Sequence, residues 1–146
     1  RQRELVGKVQ GLKVLVVDDN PTARVLMSRY LDAFGYTVAQ AASGEEAVSA
    51  LATSPAEPSF DLVLMDCEMP QMDGFEATRR IRAHEQREHL PRTPIVALTA
   101  HVLDTHRLEG MTAGMDDYLS KPFGLDDLQA VTTRWLGDQP AGEPSR

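Results

Sequence analysis

The stretch Leu12–Asp19, with the sequence LKVLVVDD, decides the fold of this chain. It is a short run of Leu and Val that ends in two aspartates, and LVLMD at 62–66 repeats the pattern with Asp66 at its end. Short runs of this composition are typical of parallel strands that are buried on both faces. In an open α/β sheet, functional side chains collect beyond the carboxyl ends of the strands. The sequence therefore predicts that Asp18, Asp19 and Asp66 meet at one edge of a sheet.

Three carboxylates at one edge would repel one another unless a cation lies among them. Hard oxygen ligands of this kind suit Mg²⁺, for which Mn²⁺ can substitute. The acidic pattern thus indicates a metal-dependent phosphoryl site. Taken singly, the pair Asp18-Asp19 could instead cap the following helix, and Asp66 could be an ordinary loop residue.

The rest of the chain alternates apolar runs with helical patterns. Strands are predicted at 12–17, 36–39, 61–65, 94–99 and 117–120. Five helices are predicted between and after these strands. The first opens at Asn20-Pro21, the second follows a capping box at Ser43–Glu46, and the third carries Phe75, Thr78 and Ile81. The fourth runs over about 104–113, and the last presents Leu125, Leu128, Val131 and Trp135 on one face. This alternation predicts an α/β doubly wound sheet with helices on both faces.

Two local interpretations are more specific. The first helix is predicted to bury Leu26, Tyr30 and either Ala33 or Phe34, because these positions share a helical face. The charged segment 85–92 is interpreted as a loop, because it leads into a proline at position 91.

Bulk properties limit the class of protein. A chain of 146 residues fits one domain, here predicted as a linker at 1–10, a domain at 11–136 and a flexible tail at 137–146. The net charge of −7 argues against nonspecific nucleic-acid binding. The single cysteine, Cys67, cannot form an internal disulfide, which favours a cytoplasmic location. The missing initiator Met suggests a piece of a longer protein.

Four motifs, in order, resemble the receiver (response-regulator) domain of two-component signalling over roughly 11–136. They are VVDDN at 16–20, LMDCEMPQMDG at 64–74, ALTA at 97–100 and YLSKPF at 118–123. The resemblance implies a flavodoxin-like, five-stranded parallel sheet with strand order 2-1-3-4-5.

The resemblance also implies a role for each matching acid. Asp66 would accept a phosphoryl group from a phosphohistidine. Asp19, Asp66 and the backbone carbonyl of Glu68 would bind Mg²⁺ directly, and Asp18 would act through a metal-bound water. Such a site fits the chemistry, because phosphoryl transfer depends mainly on positioning and charge neutralisation.

Further roles are implied at the neighbouring strand ends. Thr99 and Lys121 would contact the phosphoryl oxygens, and Thr99 and Tyr118 would form the switch that changes a partner-binding surface. Glu68 and His101 would tune the lifetime of the phosphoryl group. Without the surrounding motifs, Tyr118 would be interpreted as a half-buried strand residue and Lys121 as a surface lysine.

The implied function is phosphorelay signalling, with the domain catalysing only its own phosphorylation and dephosphorylation. The wording of the motifs is most similar to receivers of hybrid sensor histidine kinases, and a stand-alone response regulator is the alternative. Partners would be the phosphohistidine domain of a histidine kinase and a histidine phosphotransfer domain, without direct nucleic-acid or membrane contact. The parent could be anchored in the inner membrane. A haloacid-dehalogenase-like phosphatase and an interaction-only pseudo-receiver are weaker alternatives.

Overall fold

The computed structural model describes residues 12–52, 60–100 and 104–137, with side chains of the last range described from 107 onward. The predicted linker at 1–10, the tail beyond 137 and His101 lie outside these ranges. Within them, no helix is both long and apolar enough to cross a membrane.

Within these ranges, five strands and five helices alternate. They are β1 (Lys13–Val17), α1 (Pro21–Ala33), β2 (Thr37–Ala41), α2 (Gly44–Ala52), β3 (Leu62–Asp66), α3 (Gly74–Arg87), β4 (Ile95–Thr99), α4 (Asp104–Ala113), β5 (Asp117–Ser120) and α5 (Leu125–Leu136). Local sequence explains several boundaries. Asn20 caps α1 by accepting hydrogen bonds from the backbone N–H groups of Thr22 and Ala23, and Gly114 ends α4 with a φ of +110°.

The strands form one parallel sheet in the order β2-β1-β3-β4-β5, which confirms the predicted fold class. Successive side chains of the central strands point to opposite faces and are buried on both. On one face, Val14, Val16, Leu62 and Leu64 pack with residues of α1 and α5; on the other, Leu15, Val17, Val63 and Met65 pack with residues of α2, α3 and α4. The sheet is therefore the middle of three layers.

The predicted buried face of α1 is wrong at Leu26, while Tyr30 and Phe34 are partly buried and pack against the core. Leu26 is 48% exposed, whereas Met27 and Leu31 are buried against the sheet. The helix carries apolar residues on adjacent positions, so periodicity alone did not distinguish the two faces. On α5, Leu128 and Val131 are buried as predicted, but Leu125 is largely exposed at the first helical position.

The segment 85–92 was also misassigned in part, because α3 continues to Arg87 and Glu85 is buried. Glu85 accepts hydrogen bonds from Arg82 at 2.9 Å and from the backbone N–H of Thr93 at 2.8 Å. Arg82 also donates to the backbone carbonyl of Thr93 and to Asp116, and Arg92 donates to the same Asp116 carboxylate. These ion pairs join α3 to the amino ends of β4 and β5.

Candidate functional site

The register of the sheet brings the acidic residues level with one another. Val17 of β1 lies beside Met65 of β3, so the next residues, Asp18 and Asp66, end adjacent strands at the same height. Asp18 is fully buried and Asp66 is 3% exposed. Asp19 follows in the loop and is exposed. Asp18, Asp19 and Asp66 therefore meet at one edge of the sheet, as predicted.

The three carboxylates form a compact cluster. Asp18, Asp19 and Asp66 each offer a carboxylate oxygen, and these oxygens lie within 4.8 Å of one another. The Nζ atom of Lys121 lies 3.2 Å from Oδ1 of Asp66 and 3.6 Å from Oδ2 of Asp18. The ammonium group of Lys121 therefore contacts two of the three carboxylates.

Burial dominates the electrostatics of Asp66. It raises the pKa of the Asp66 carboxyl from 3.8 to about 6, against the hydrogen bond donated by the Glu68 N–H, with Asp18 raising it further and Lys121 lowering it. For Lys121, burial alone would lower the pKa of the ammonium, but the carboxylates of Asp66 and Asp18 outweigh it and raise that pKa. Both effects follow from excess negative charge held away from water.

Asp18 shows that the cluster has unused capacity to bind a cation. Its Oδ1 accepts a hydrogen bond from the backbone N–H of Asn20 at 2.9 Å, but its buried Oδ2 has no hydrogen-bond partner among the described residues and only the ion pair with Lys121 at 3.6 Å. A buried carboxylate oxygen without a donor is costly unless a cation or water satisfies it. The all-oxygen donor set of Asp18, Asp19 and Asp66 fits a hard divalent cation such as Mg²⁺.

The loop after β3 is held tightly against Asp66. The backbone N–H of Glu68 donates to Oδ1 of Asp66 at 3.2 Å, while the Glu68 residue is exposed. Gly74, the first residue of α3, lies so close that an added Cβ would stand 2.3 Å from the backbone oxygen of Asp66. Only glycine permits this approach. Gly74 was present in the LMDCEMPQMDG motif, but the sequence pattern offered no reason for it.

Thr99 and Lys121 come from the next strand ends. Asp66 lies beside Leu98 in the register of β3 and β4, and Thr99 lies beside Ser120 in that of β4 and β5. Thr99 is buried, and its backbone carbonyl accepts a hydrogen bond from the N–H of Lys121 at 2.8 Å. Both predicted phosphoryl-contacting residues are therefore at the same edge as Asp66.

Tyr118 of β5 packs on α4. Its hydroxyl donates to the backbone carbonyl of Arg107, and the Arg107 guanidinium lies 5.2 Å from the centre of its ring. A Cβ on Gly110 would approach the Tyr118 ring to 3.3 Å, so Gly110 leaves the room that the ring occupies. The tyrosine side chain is half-buried in this arrangement.

The neighbouring Asp117 joins β5 to α5. One of its oxygens accepts from the N–H of Tyr118 at 2.8 Å, and the other accepts from the indole N–H of Trp135 at 2.8 Å and from Arg134. Sequence reasoning assigned no role to Asp117. Its contacts link the strand that carries Tyr118 to the last helix.

Two other residues near Asp66 have clear structural roles. Burial raises the pKa of the Cys67 thiol to about 12, which keeps it protonated, and Cys67 packs within the hydrophobic core. Arg24, which sequence reasoning missed, donates to the backbone carbonyl of Asp18 at 2.8 Å. No sequence signal identifies this contact, because it depends on how α1 is rotated against the loop.

Comparison with known proteins identifies the family. The model of the response regulator receiver domain matches residues 14–133. The sensor histidine kinase GacS of Pseudomonas protegens is 42% identical over 125 residues, which cover 86% of this chain and 13% of the kinase. The transcriptional regulatory protein TcrA of Mycobacterium tuberculosis is 41% identical over 124 residues, covering 85% of this chain and 46% of that protein. The chain thus spans less than half the length of either relative.

A solved structure agrees in fold. The receiver domain of the sensor histidine kinase PA1611 from Pseudomonas aeruginosa has a TM-score of 0.75 and 41% sequence identity, covering 88% of this chain and 99% of that domain. That structure has a magnesium ion coordinated in its active site cleft. Together with the sheet order and the acidic cluster, these matches show that this chain belongs to the response regulator receiver domain family.

Proposed function

We propose that this domain accepts a phosphoryl group from a phosphohistidine onto Asp66. The observation that carries the proposal is the state of the Asp66 carboxylate, which is nearly buried and held at Oδ1 by both Glu68 and Lys121. Because these contacts already fix the carboxylate, little orientational freedom is lost when it attacks a donor.

The acidic cluster supports a role for Mg²⁺, and Mn²⁺ would occupy the same donor set. Asp19, Asp66 and the backbone carbonyl of Glu68 would hold the ion, with Asp18 acting through water. When bound, the ion supplies positive charge that offsets the carboxylates and the phosphoryl oxygens. Lys121 would contribute a second positive charge, and Thr99 would donate its hydroxyl to a phosphoryl oxygen.

The group transfer conserves atoms and charge in a simple way. A carboxylate oxygen of Asp66 forms a bond to phosphorus as the P–N bond of the donor breaks, and the released imidazole takes a proton from water. Attack of water on the same phosphorus then breaks the P–O bond to Asp66, releasing inorganic phosphate and the free carboxylate. Glu68 and His101 would set how readily that water attacks.

Signal output would pass through Thr99 and Tyr118. The hydroxyl of Tyr118 and the cation of Arg107 hold the ring against α4, so a movement of the ring would alter the surface formed by α4 and β5. We expect Tyr118→Ala to leave phosphorylation intact and to weaken the response of a partner. Unchanged partner binding by the phosphorylated variant would contradict this role.

The parent protein is proposed to be a hybrid sensor histidine kinase, in which this domain, over about 11–136, takes the phosphoryl group from the kinase and passes it to a histidine phosphotransfer domain. The likeness to GacS supports this origin. The likeness to TcrA supports the alternative of a response regulator. In either case the domain would act in the cytoplasm, and a hybrid kinase could be anchored in the inner membrane.

The experiment that tests the acceptor is intact-mass spectrometry after incubation with phosphoramidate, which carries a P–N bond, or with acetyl phosphate. Wild type, Asp66→Asn and Asp32→Asn would be compared with and without Mg²⁺, since Asp32 is an exposed acid of α1 and matches the change in charge. We expect one Mg²⁺-dependent phosphoryl adduct in wild type and Asp32→Asn, and none in Asp66→Asn.

Three outcomes would overturn the proposal. An adduct that persists in Asp66→Asn would place the acceptor elsewhere. A wild type that forms no adduct and does not respond to beryllofluoride would indicate a pseudo-receiver that signals by binding alone. Sustained multiple turnover on phosphate esters would favour a phosphatase instead.

A further inference from the structure

We infer that Arg24 is a positioning residue for the metal-binding loop, and this inference rests on the proposed function. Arg24 lies in the first turns of α1, immediately after the acidic loop. Its Nη1 donates to the backbone carbonyl of Asp18 at 2.8 Å, and its Nε donates to Oε1 of Gln40 on β2 at 3.0 Å. One guanidinium thus ties the loop to the neighbouring strand.

The carbonyl of Asp18 needs such a partner because the strand has ended. The N–H of Asp18 still donates to the carbonyl of Ala41, continuing the ladder between β1 and β2. The Asp18 carbonyl is the acceptor that Arg24 satisfies. Since the carbonyl of Asp18 and the N–H of Asp19 belong to one rigid peptide plane, holding the carbonyl also fixes the direction from which the Asp19 side chain starts.

Arg24 is itself held in place by its own backbone. Its N–H donates to the carbonyl of the cap residue Asn20 at 3.0 Å, and its carbonyl accepts from the hydroxyl of Ser28 at 2.8 Å. The side chain is partly buried. A planar, forked group fixed at both ends is suited to hold a loop, which a flexible ammonium could not do as well.

Asp19 is the carboxylate of the cluster that most needs this support. Asp18 and Asp66 are buried at strand ends, whereas Asp19 is exposed in the loop. Repulsion from the other two carboxylates favours its movement away from them when no cation is present. The Arg24 contact opposes that movement by holding the Asp18–Asp19 peptide in place.

The charge of Arg24 and its hydrogen bond to Asp18 lead to opposite expectations for the Mg²⁺ affinity of a variant that lacks this residue. A cation near the site repels Mg²⁺, so removing its charge would tighten binding if electrostatics alone mattered. Removing the contact frees the Asp18–Asp19 peptide, and binding must then order it again, which weakens affinity. Whether the Mg²⁺ affinity of the variant rises or falls therefore shows which of the two effects is larger.

The test is a Mg²⁺ titration of the full 146-residue chain, monitored by the NMR chemical shifts of the backbone amides of Asn20 and Glu68. We expect Arg24→Gln to raise the Mg²⁺ Kd about 3–10-fold, and Arg24→Lys, which keeps the charge but not the fork, to give a smaller increase. The control is Arg29→Gln on the same helix, where Arg29 is exposed and the Kd should stay unchanged.

Gln40→Ala keeps the inference testable if Arg24→Gln does not fold, because it removes only the second anchor of the guanidinium. A Kd raised about twofold or more is expected. Equal or tighter Mg²⁺ binding by the Arg24 and Gln40 variants, with wild type binding normally and forming its Asp66 adduct, would overturn this inference alone. A wild type that does not bind Mg²⁺ would overturn both the inference and the proposed function.

Discussion

The two ends of the sheet handle buried charge in opposite ways. At the carboxyl edge, three carboxylates lie together, the ammonium group of Lys121 pairs with two of them, and Oδ2 of Asp18 is left without a hydrogen bond among the described residues. At the amino edge, Arg82 and Arg92 face Glu85 and Asp116, so two cations meet two anions.

The amino edge is also saturated with hydrogen bonds. Arg82 donates to Glu85, Asp116 and the backbone carbonyls of Thr93 and Gly114, and Asp116 also accepts from the N–H of Ile95. Charge that is balanced and fully bonded stabilises the native arrangement and holds it in one conformation. Unbalanced negative charge, as at the carboxyl edge, favours the binding of a cation. The contrast separates a structural ion network from a functional site.

The largest effect should come from breaking the balanced edge. We expect Arg82→Met to reduce the free energy of unfolding by about 3–5 kcal/mol, because it leaves the buried Glu85 without its cation and Asp116 paired only with the exposed Arg92. Urea denaturation would measure the loss. The control is Arg92→Met, which removes a side chain that is 57% exposed and should cost less than about 1 kcal/mol. Equal losses in both variants would remove the distinction between the inner and outer members of the network.

Removing a charge from the carboxyl edge should instead increase the free energy of unfolding. Asp66 has a folded-state pKa of about 6, above its ordinary value of 3.8, so its ionisation destabilises the fold as the pH rises through that range. Without Mg²⁺, Asp66→Asn should therefore stabilise the protein at pH 7.5 by about 1–3 kcal/mol, and this gain should disappear below about pH 4.

The matched substitution at the other edge is Glu85→Gln, which should destabilise the protein at pH 7.5 because it breaks the pair with Arg82. Urea denaturation of both variants at pH 4 and pH 7.5 makes the comparison. A loss of stability in Asp66→Asn at pH 7.5 would show that the Lys121 pairing outweighs the burial of the carboxylate.

The smallest expected effect tests how closely α3 supports the site. Gly74→Ala would place a Cβ against the backbone oxygen of Asp66, at a net cost of about 1–2 kcal/mol after the higher helix propensity of Ala is counted. Phosphorylation by acetyl phosphate should also slow. Gly124→Ala is the control, because its Cβ would meet only Asp127 at 3.9 Å. Wild-type rates in Gly74→Ala would mean that the loop absorbs the shift.

The carboxyl edge was largely predictable from the sequence, and the amino edge was not. Asp18 and Asp66 each end an apolar run, and parallel strands bring such ends together whatever the details of packing. Arg82 and Glu85, in contrast, lie on a helix rich in charge, where the usual expectation is exposure to solvent. Their burial depends on partners from other elements, such as Asp116, which no local pattern reveals.

The same limit explains the error at Leu26 of α1. Leu26 and Met27 are adjacent apolar residues, and only the rotation of the helix against the sheet decides that Met27 is buried. That rotation also determines that Arg24 reaches the carbonyl of Asp18. Patterns within an element identified the elements and the acids, whereas contacts between elements required the structure.

The hydrogen bond from Trp135 to Asp117 gives the domain an intrinsic optical probe. The chain has one tryptophan, so its tryptophan emission has a single source. The indole N–H is bound to the carboxylate that also accepts from the N–H of Tyr118. A displacement of β5 would therefore change both the hydrogen bonding and the charge felt by the indole, and the emission of the unlabelled protein would follow that strand in real time.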